Sequence, residues 1–331
     1  MTMNRRIVVI IAAVVVVLVV AAVIFAIAST QRWILATVAQ PPSTTTAILA
    51  PEQSKARDAL SGEKMDARER AAAEYLADQP TAYWLTPEQD PIGTAGKTVS
   101  SLTTQARDQE VAMAIVIYGL PERDCGNHSA GGLSGDDYRT WIDEISAALE
   151  AAPDVQKLVI LEPDSLALAP ECGNLDERAA QLRSAVHELT APHTWIYLDG
   201  GHSAWLPAAE MASLIEAVDV ADEVRGFATN VSNYRPTYDE FTYAHAVAAQ
   251  LHGMHAVIDT SRNGGSVDAG AQWCNPPDQR VGEPSGTFGD EVVDLNLWIK
   301  PPGESDGPCE GGPAAGVWWP AAAAELAQDA R

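Results

Sequence analysis

Basic charge is what this sequence has least of. Lys and Arg total 21 against 45 Asp and Glu, a net charge of −24 over 331 residues. So acidic a surface repels nucleic acid and anionic lipid, and it excludes a reader of phosphate backbones. Solubility of an exported chain is its plainest use, and a neutral or cationic substrate is compatible with it. There is no glycine-rich phosphate loop and no internal repeat, which excludes the common nucleotide folds and solenoids. No Cys-x-x-Cys pair occurs and the seven histidines are scattered, so no zinc site, and no cofactor, is expected. Cysteine itself is scarce: Cys125, Cys172, Cys274 and Cys309. An even count in an oxidising compartment implies two disulfides, with three pairings open.

Apolar residues are plentiful, at 47%, enough for a full core. One run stands apart. Residues 7–28, "IVVIIAAVVVVLVVAAVIFAIA", are 22 uncharged residues behind Arg5 and Arg6. That length spans a bilayer, and the arginines hold the start of the run inside. The expected organisation is a cytoplasmic stub at 1–6, a transmembrane anchor at 7–28, a Thr/Ser/Pro-rich stalk at 29–65 and a catalytic domain at 66–331. A cleaved signal segment ending at Ala26-Ile27-Ala28 is the alternative. Either way the bulk of the chain lies outside the cytoplasm.

From about residue 66, β-branched runs alternate with amphipathic stretches. Strands are expected at 81–85, 112–118, 157–161, 194–198, 226–229, 255–259 and 293–299. Helices are expected at 136–150, where Tyr138, Trp141, Ile142, Ile145 and Leu149 share a stripe, and near 176–189, 207–217 and 239–252. Near-continuous apolar strands between helices indicate an α/β fold with a parallel sheet covered on both faces. Seven such units favour a barrel over an open doubly wound sheet.

In a parallel barrel the chemistry sits where the strands exit. Strand two exits into "YGLPERDCGNHSAGG", with Tyr118, Arg123, Asp124 and Ser129. Strand three, "LVILEPDSLAL", exits into Glu162 and Asp164, two carboxylates at the end of an oily run that enter a pocket there. Strand four exits into Asp199, His202 and Trp205, and strand five into Asn230, Asn233 and Tyr234. Strand six exits into Asp259, Arg262 and Asn263, and the last strand into Lys300, Glu304 and Asp306. A single acid at a strand end is as well read as a cap or a turn former. That reading is poor for the whole set. Several carboxylates with no nucleophilic serine and no calcium-loop spacing fit glycoside hydrolysis. It needs one protonated carboxyl at the leaving oxygen and further carboxylates for water and charge. Trp84, Trp205 and Trp273 lie near the exits as apolar platforms for sugar, while Trp141 and Trp195 read as core.

The run "VIYGLPERDC", "LEPDSLA", "YLDGGHSAWL", "NVSNY", "IDTSRNG", "WCNPP" and "KPPGESDG" resembles glycoside hydrolase family 6, in order, over about residues 66–331. The resemblance implies a distorted seven-stranded parallel β/α barrel. It implies inverting hydrolysis of β-1,4-glucan without metal or organic cofactor. Carried over residue by residue, Asp164 is the proton donor, Asp124 its supporting carboxylate, and Tyr118 a neighbour of the distorted sugar. Ser129 helps hold water, and Asp306 is a candidate base. The base is left open between Asp124 and Asp306. Asp199, Trp205, Trp273, Lys300 and Glu304 fall at substrate positions, and Trp84 at the next one inward; His202, Asn230 and Asn233, read from the strand exits alone, are further candidates for substrate binding. The implied disulfides are Cys125–Cys172 and Cys274–Cys309. Two departures flank the site: Gly119, where relatives often carry Asp or Asn, and Pro302, in place of a usual glycine.

The short stretch between Cys274 and Cys309 leaves no room for long enclosing loops, so an open cleft and internal cutting are expected. The expected partner is a β-1,4-glucan, met by a monomer, with the membrane engaged through 7–28 if uncleaved. A surface-anchored glycan binder with little catalysis is the rival class, and reducing-sugar release separates the two.

Overall fold

The computed structural model describes residues 14–20, 39–62, 64–126, 131–265 and 272–330. It divides into two units, Met1–Gln40 and Pro41–Arg331. In the first, residues 14–20 are helical, and the rest of 7–28 lies outside the described residues. Among the described residues no helix is long and apolar enough to cross a membrane.

The second unit is built on seven parallel strands in sequential order: β1 (Tyr83–Leu85), β2 (Met113–Ile117), β3 (Lys157–Leu161), β4 (Thr194–Asp199), β5 (Gly226–Thr229), β6 (His255–Asp259) and β7 (Val293–Leu297). Period-two alternation sorts each strand between two cores. Met113, Ile115 and Ile117 of β2, and Val159 and Leu161 of β3, face the helical layer with Trp141, Ile145 and Leu182. Ala114, Val116, Leu158 and Ile160 face inward, with Tyr197, Val257 and Leu295.

The barrel expected from the sequence is a half-barrel. Among the described residues β1 and β7 form no ladder. Their ends meet through an Ala82 N–H donating to the Trp298 carbonyl at 2.9 Å and Trp84 Nε1 donating to the Ile299 carbonyl at 2.8 Å. β1 has three residues, and Pro301 and Pro302 beyond β7 bring no amide donors, so a closing ladder has little to form with.

The expected stalk at 29–65 and domain start at 66 need correcting. Ile48 bridges Ala112 ahead of β2, with Leu49 N–H donating to the Ala112 carbonyl at 2.8 Å, and both residues are buried. The helix Lys55–Gly62 follows and buries Ala56 and Ala59. These join Ala73, Leu76, Trp298, Trp318 and Ala323 in a third apolar cluster, which packs the start of the unit against the C-terminal helix Pro320–Leu326. The compact unit therefore begins near Pro41.

The expected helices form with shifts of a few residues at their ends. Gly135–Glu150 starts on Ser134, whose hydroxyl accepts from the Asp137 amide at 3.3 Å. Below it lies a wholly buried lysine, Lys157, whose ammonium donates to the carbonyls of Leu149 (3.2 Å), Ala152 (2.7 Å) and Pro192 (2.9 Å).

Candidate active site

The chain leaves β3 through two left-handed residues, Glu162 at φ 51° and Asp164 at φ 67°, on either side of Pro163. Such angles are strained for residues with a Cβ and cluster at sites where the surroundings hold them in place. The hold comes from Glu162. It is buried, and its carboxylate accepts from the Gly119 amide (3.1 and 3.0 Å) and the Leu120 amide (3.1 Å). Glu162 therefore does not open into the cleft as its strand-end position implied. It staples the β2 exit to the β3 exit. Burial pushes its carboxyl up to about 7, against the pull of those amide bonds. A different neighbour accounts for Gly119: a Cβ there would stand 2.7 Å from the Trp141 ring.

Asp164 is half-buried at the head of the helix Ser165–Cys172 and donates its amide to Asp199 Oδ2 at 3.0 Å. Burial first, and then the charges of Asp199, Asp124 and Asp306, raise its carboxyl well above the usual range, with Lys300 opposing. Burial likewise pushes Asp199 up to about 7, against amide bonds from Gly201 and Asp164. Asp199 thus acts on the backbone that aims Asp164.

Asp124 sits in the turn after β2 at φ 55°, next to Cys125 at φ 52°, and accepts from the Tyr118 hydroxyl at 2.6 Å. Its Oδ1 is buried and has no hydrogen-bond partner among the described residues. Arg123 braces the turn: it donates to the Tyr118 carbonyl at 2.6 Å, lies 4.3 Å over the Tyr118 ring, and pairs with Glu88 at 2.9 Å. The Cys125–Cys172 disulfide ties the turn to the helix that Asp164 caps. Ser129 lies outside the described residues.

Asp306 faces a different set. It accepts from Arg262 Nη1 (2.8 Å), the Tyr234 hydroxyl (2.7 Å) and the Asn275 amide (3.1 Å). Burial works to raise its carboxyl, but the cations Arg262 and Lys300 outweigh that, and it ends below the ordinary value. The Cys274–Cys309 disulfide adjoins Asn275, so both cysteine pairings are those the resemblance implies. Arg262 and Tyr234 stood at strand exits in the sequence without being singled out. An arginine meant to pair with an acid 44 positions away leaves no local signal.

The rim is uneven. Trp84 packs edge-on to Tyr118 at 5.3 Å, with Lys300 Nζ 4.9 Å from its ring centre. Glu304 is buried, and its carboxylate lies 4.0 Å from Lys300. His202 and Trp205 meet with tilted rings, centroids 5.6 Å apart, and burial pushes the His202 imidazole down to about 4. Trp273 is 50% exposed beside Cys274. Asn230 does not line the cleft as expected. It is wholly buried, its amide spent on the Asp259 carbonyl (2.8 Å), the Arg235 carbonyl (3.3 Å) and the Arg235 amide (3.0 Å). Asn233 is half-buried and donates to the Val231 carbonyl at 3.0 Å, within its own turn. Pro302 is buried, next to Gly303 at φ 93°.

An α/β half-barrel with acids of opposite tuning gathered at its strand exits is the layout of an acid–base hydrolase of glycosides. The family model described as Glycosyl hydrolases family 6 matches residues 43–330, and the chain belongs to that family. It is 38% identical over 264 residues to Endoglucanase A of Cellulomonas fimi, covering 80% of this chain and 57% of that protein. It is 42% identical over 270 residues to Endoglucanase 1 of Streptomyces sp. (strain KSM-9), covering 79% of this chain and 73% of that one. The chain spans 57% and 61% of the lengths of the Cellulomonas fimi and Thermobispora bispora Endoglucanases A. Among solved structures, the endoglucanase Cel6 from Mycobacterium tuberculosis, in complex with a thio-linked cellobioside, superimposes with a TM-score of 0.77 at 37% identity. That match covers 86% of this chain and 97% of that one.

Proposed function

We propose that the chain is an endo-acting, inverting β-1,4-glucanase of the cellulase type. The observation that carries this is the split between two neighbouring acids: Asp164 raised well above the usual carboxylate range and Asp306 held below it. Environments that push two acids apart assign a proton donor and a charge that stays ionised. Asp164 gives its proton to the leaving oxygen. Asp306, already bound by three donors, stabilises charge and is a poor proton acceptor. Asp124, with one oxygen unpartnered among the described residues, receives the proton of the attacking water through a water relay, and Tyr118 fixes its other oxygen. The endoglucanase names of the relatives and the 35-residue spacing of Cys274 and Cys309 support internal cutting.

The test is time-resolved product analysis on soluble β-1,4-glucan with anomeric NMR. Rapid viscosity loss with α-configured new ends is expected. Release of β ends, or of one uniform short product without viscosity loss, overturns the reading. Absence of any reducing-sugar release leaves the glycan-binding alternative. Residues 7–28 are read as the membrane anchor of an extracytoplasmic enzyme.

A further inference from the structure

Lys55 is an odd choice for the first residue of a helix. The helix dipole disfavours a cation there, and Asp or Glu is the usual occupant. The structure places its ammonium 2.6 Å from the Gly316 carbonyl and 3.3 Å from Glu304 Oε1. Glu304 is thus aimed by two lysines from opposite ends of the chain, Lys55 on one oxygen and Lys300 on the other. Lys300 in turn stands over Trp84. Between these groups lies a narrow cleft, lined in part by Gln53, Lys55, Trp84, Gln89 and Glu304. An indole beside amides and charges suits one edge of a hydroxyl-rich ring. The cleft sits at the seam where β1 and β7 fail to pair, and the segment Pro51–Lys55 forms one of its walls.

We propose that this N-terminal arm is a wall of the substrate cleft and that Lys55 is a positioning residue, holding Glu304 for the sugar bound beside Trp84. The proposal rests on the glucanase reading above. It assigns part of substrate recognition to a segment outside the seven strand–helix units.

The test uses the full chain with Lys55→Met and Lys55→Arg. Steady-state kinetics on cellohexaose are read alongside thermal midpoints, and cellohexaose affinity is measured by calorimetry. For Lys55→Met, KM is expected to rise about fivefold to tenfold with kcat within about twofold, the signature of lost uniform binding. Lys55→Arg is expected to recover most of that loss, and both midpoints to stay within ~3 °C of the parent. An unchanged KM in Lys55→Met overturns the proposal. So does a joint fall of kcat and midpoint that Lys55→Arg does not relieve, because that marks a structural role alone. If the parent itself does not cleave cellohexaose, the glucanase reading fails instead. The calorimetric affinity of parent and Lys55→Met then decides the arm separately: a loss in the variant supports it, and equal affinities overturn it.

Discussion

Asp164 has its amide committed to Asp199, its backbone in a strained region and its carboxyl among three other acids. Asp164→Asn removes the proton but keeps the shape. Its kcat is expected to fall by about 10²–10⁴ on unactivated glucan, in line with general-acid contributions, while the thermal midpoint stays near the parent's. Substrates with activated leaving groups are expected to lose less. Rates on plain glucan within a few-fold of the parent would remove Asp164 from its role. At this scale the sequence was legible where the signal was local. Asp164 and Asp124 stand at strand ends inside distinctive runs. Glu162 reads as a cleft residue because "LEPD" shows an acid at a strand exit, and only the fold reveals two amides just past the end of β2 waiting for it. Asn230 was misread for a similar reason, since its partners lie five and 29 positions away.

Elements built on a repeating apolar stripe were legible, and those that break the pattern were not. The strands and the helix Gly135–Glu150 follow from periodicity alone. The helix Ser165–Cys172 carries Pro170 inside it, and Ala95–Gln109 is diluted with Thr, Ser and Gln, so neither stands out. The junction beneath Gly135–Glu150 supports a prediction about pH. Burial lowers Lys157 from 10.5 to about 8 in the folded state. Between those values the unfolded chain keeps a proton that the folded chain has released, so this residue's contribution to stability rises with pH across that window. Below about 8 the cost of burying the charge is fully present. Lys157→Met removes the titration. Urea unfolding of both proteins at pH 7.5 and 10 is expected to show the gap moving in favour of the parent at the higher pH. A gap independent of pH would show that the three carbonyls already solvate the ammonium as well as water does.

On the scale of the whole molecule, residues 7–28 are expected to keep the enzyme on the membrane, because 22 apolar residues are long enough to span it and Arg5 and Arg6 hold their start inside. Cell fractionation with N-terminal sequencing of the active species checks this, and a soluble enzyme beginning near Ser29 would replace the anchor with a cleaved signal. Thr, Ser and Pro around Ile48 read as linker, while the partner that makes this segment structure, Ala112, is remote in sequence. The same remoteness marks the seam. Lys55 reaches the Gly316 carbonyl across 261 positions, and Arg68 reaches that of Ala324 across 256. A chain that emerges from the ribosome N-terminus first has made the helices Lys55–Gly62 and Ala67–Ala77 long before Trp298 and Trp318 arrive to cover them. Contacts of such high order close late. The compact unit therefore stays unfinished until the helix Pro320–Leu326 arrives, a schedule compatible with the passage through a membrane that the reading of residues 7–28 proposes.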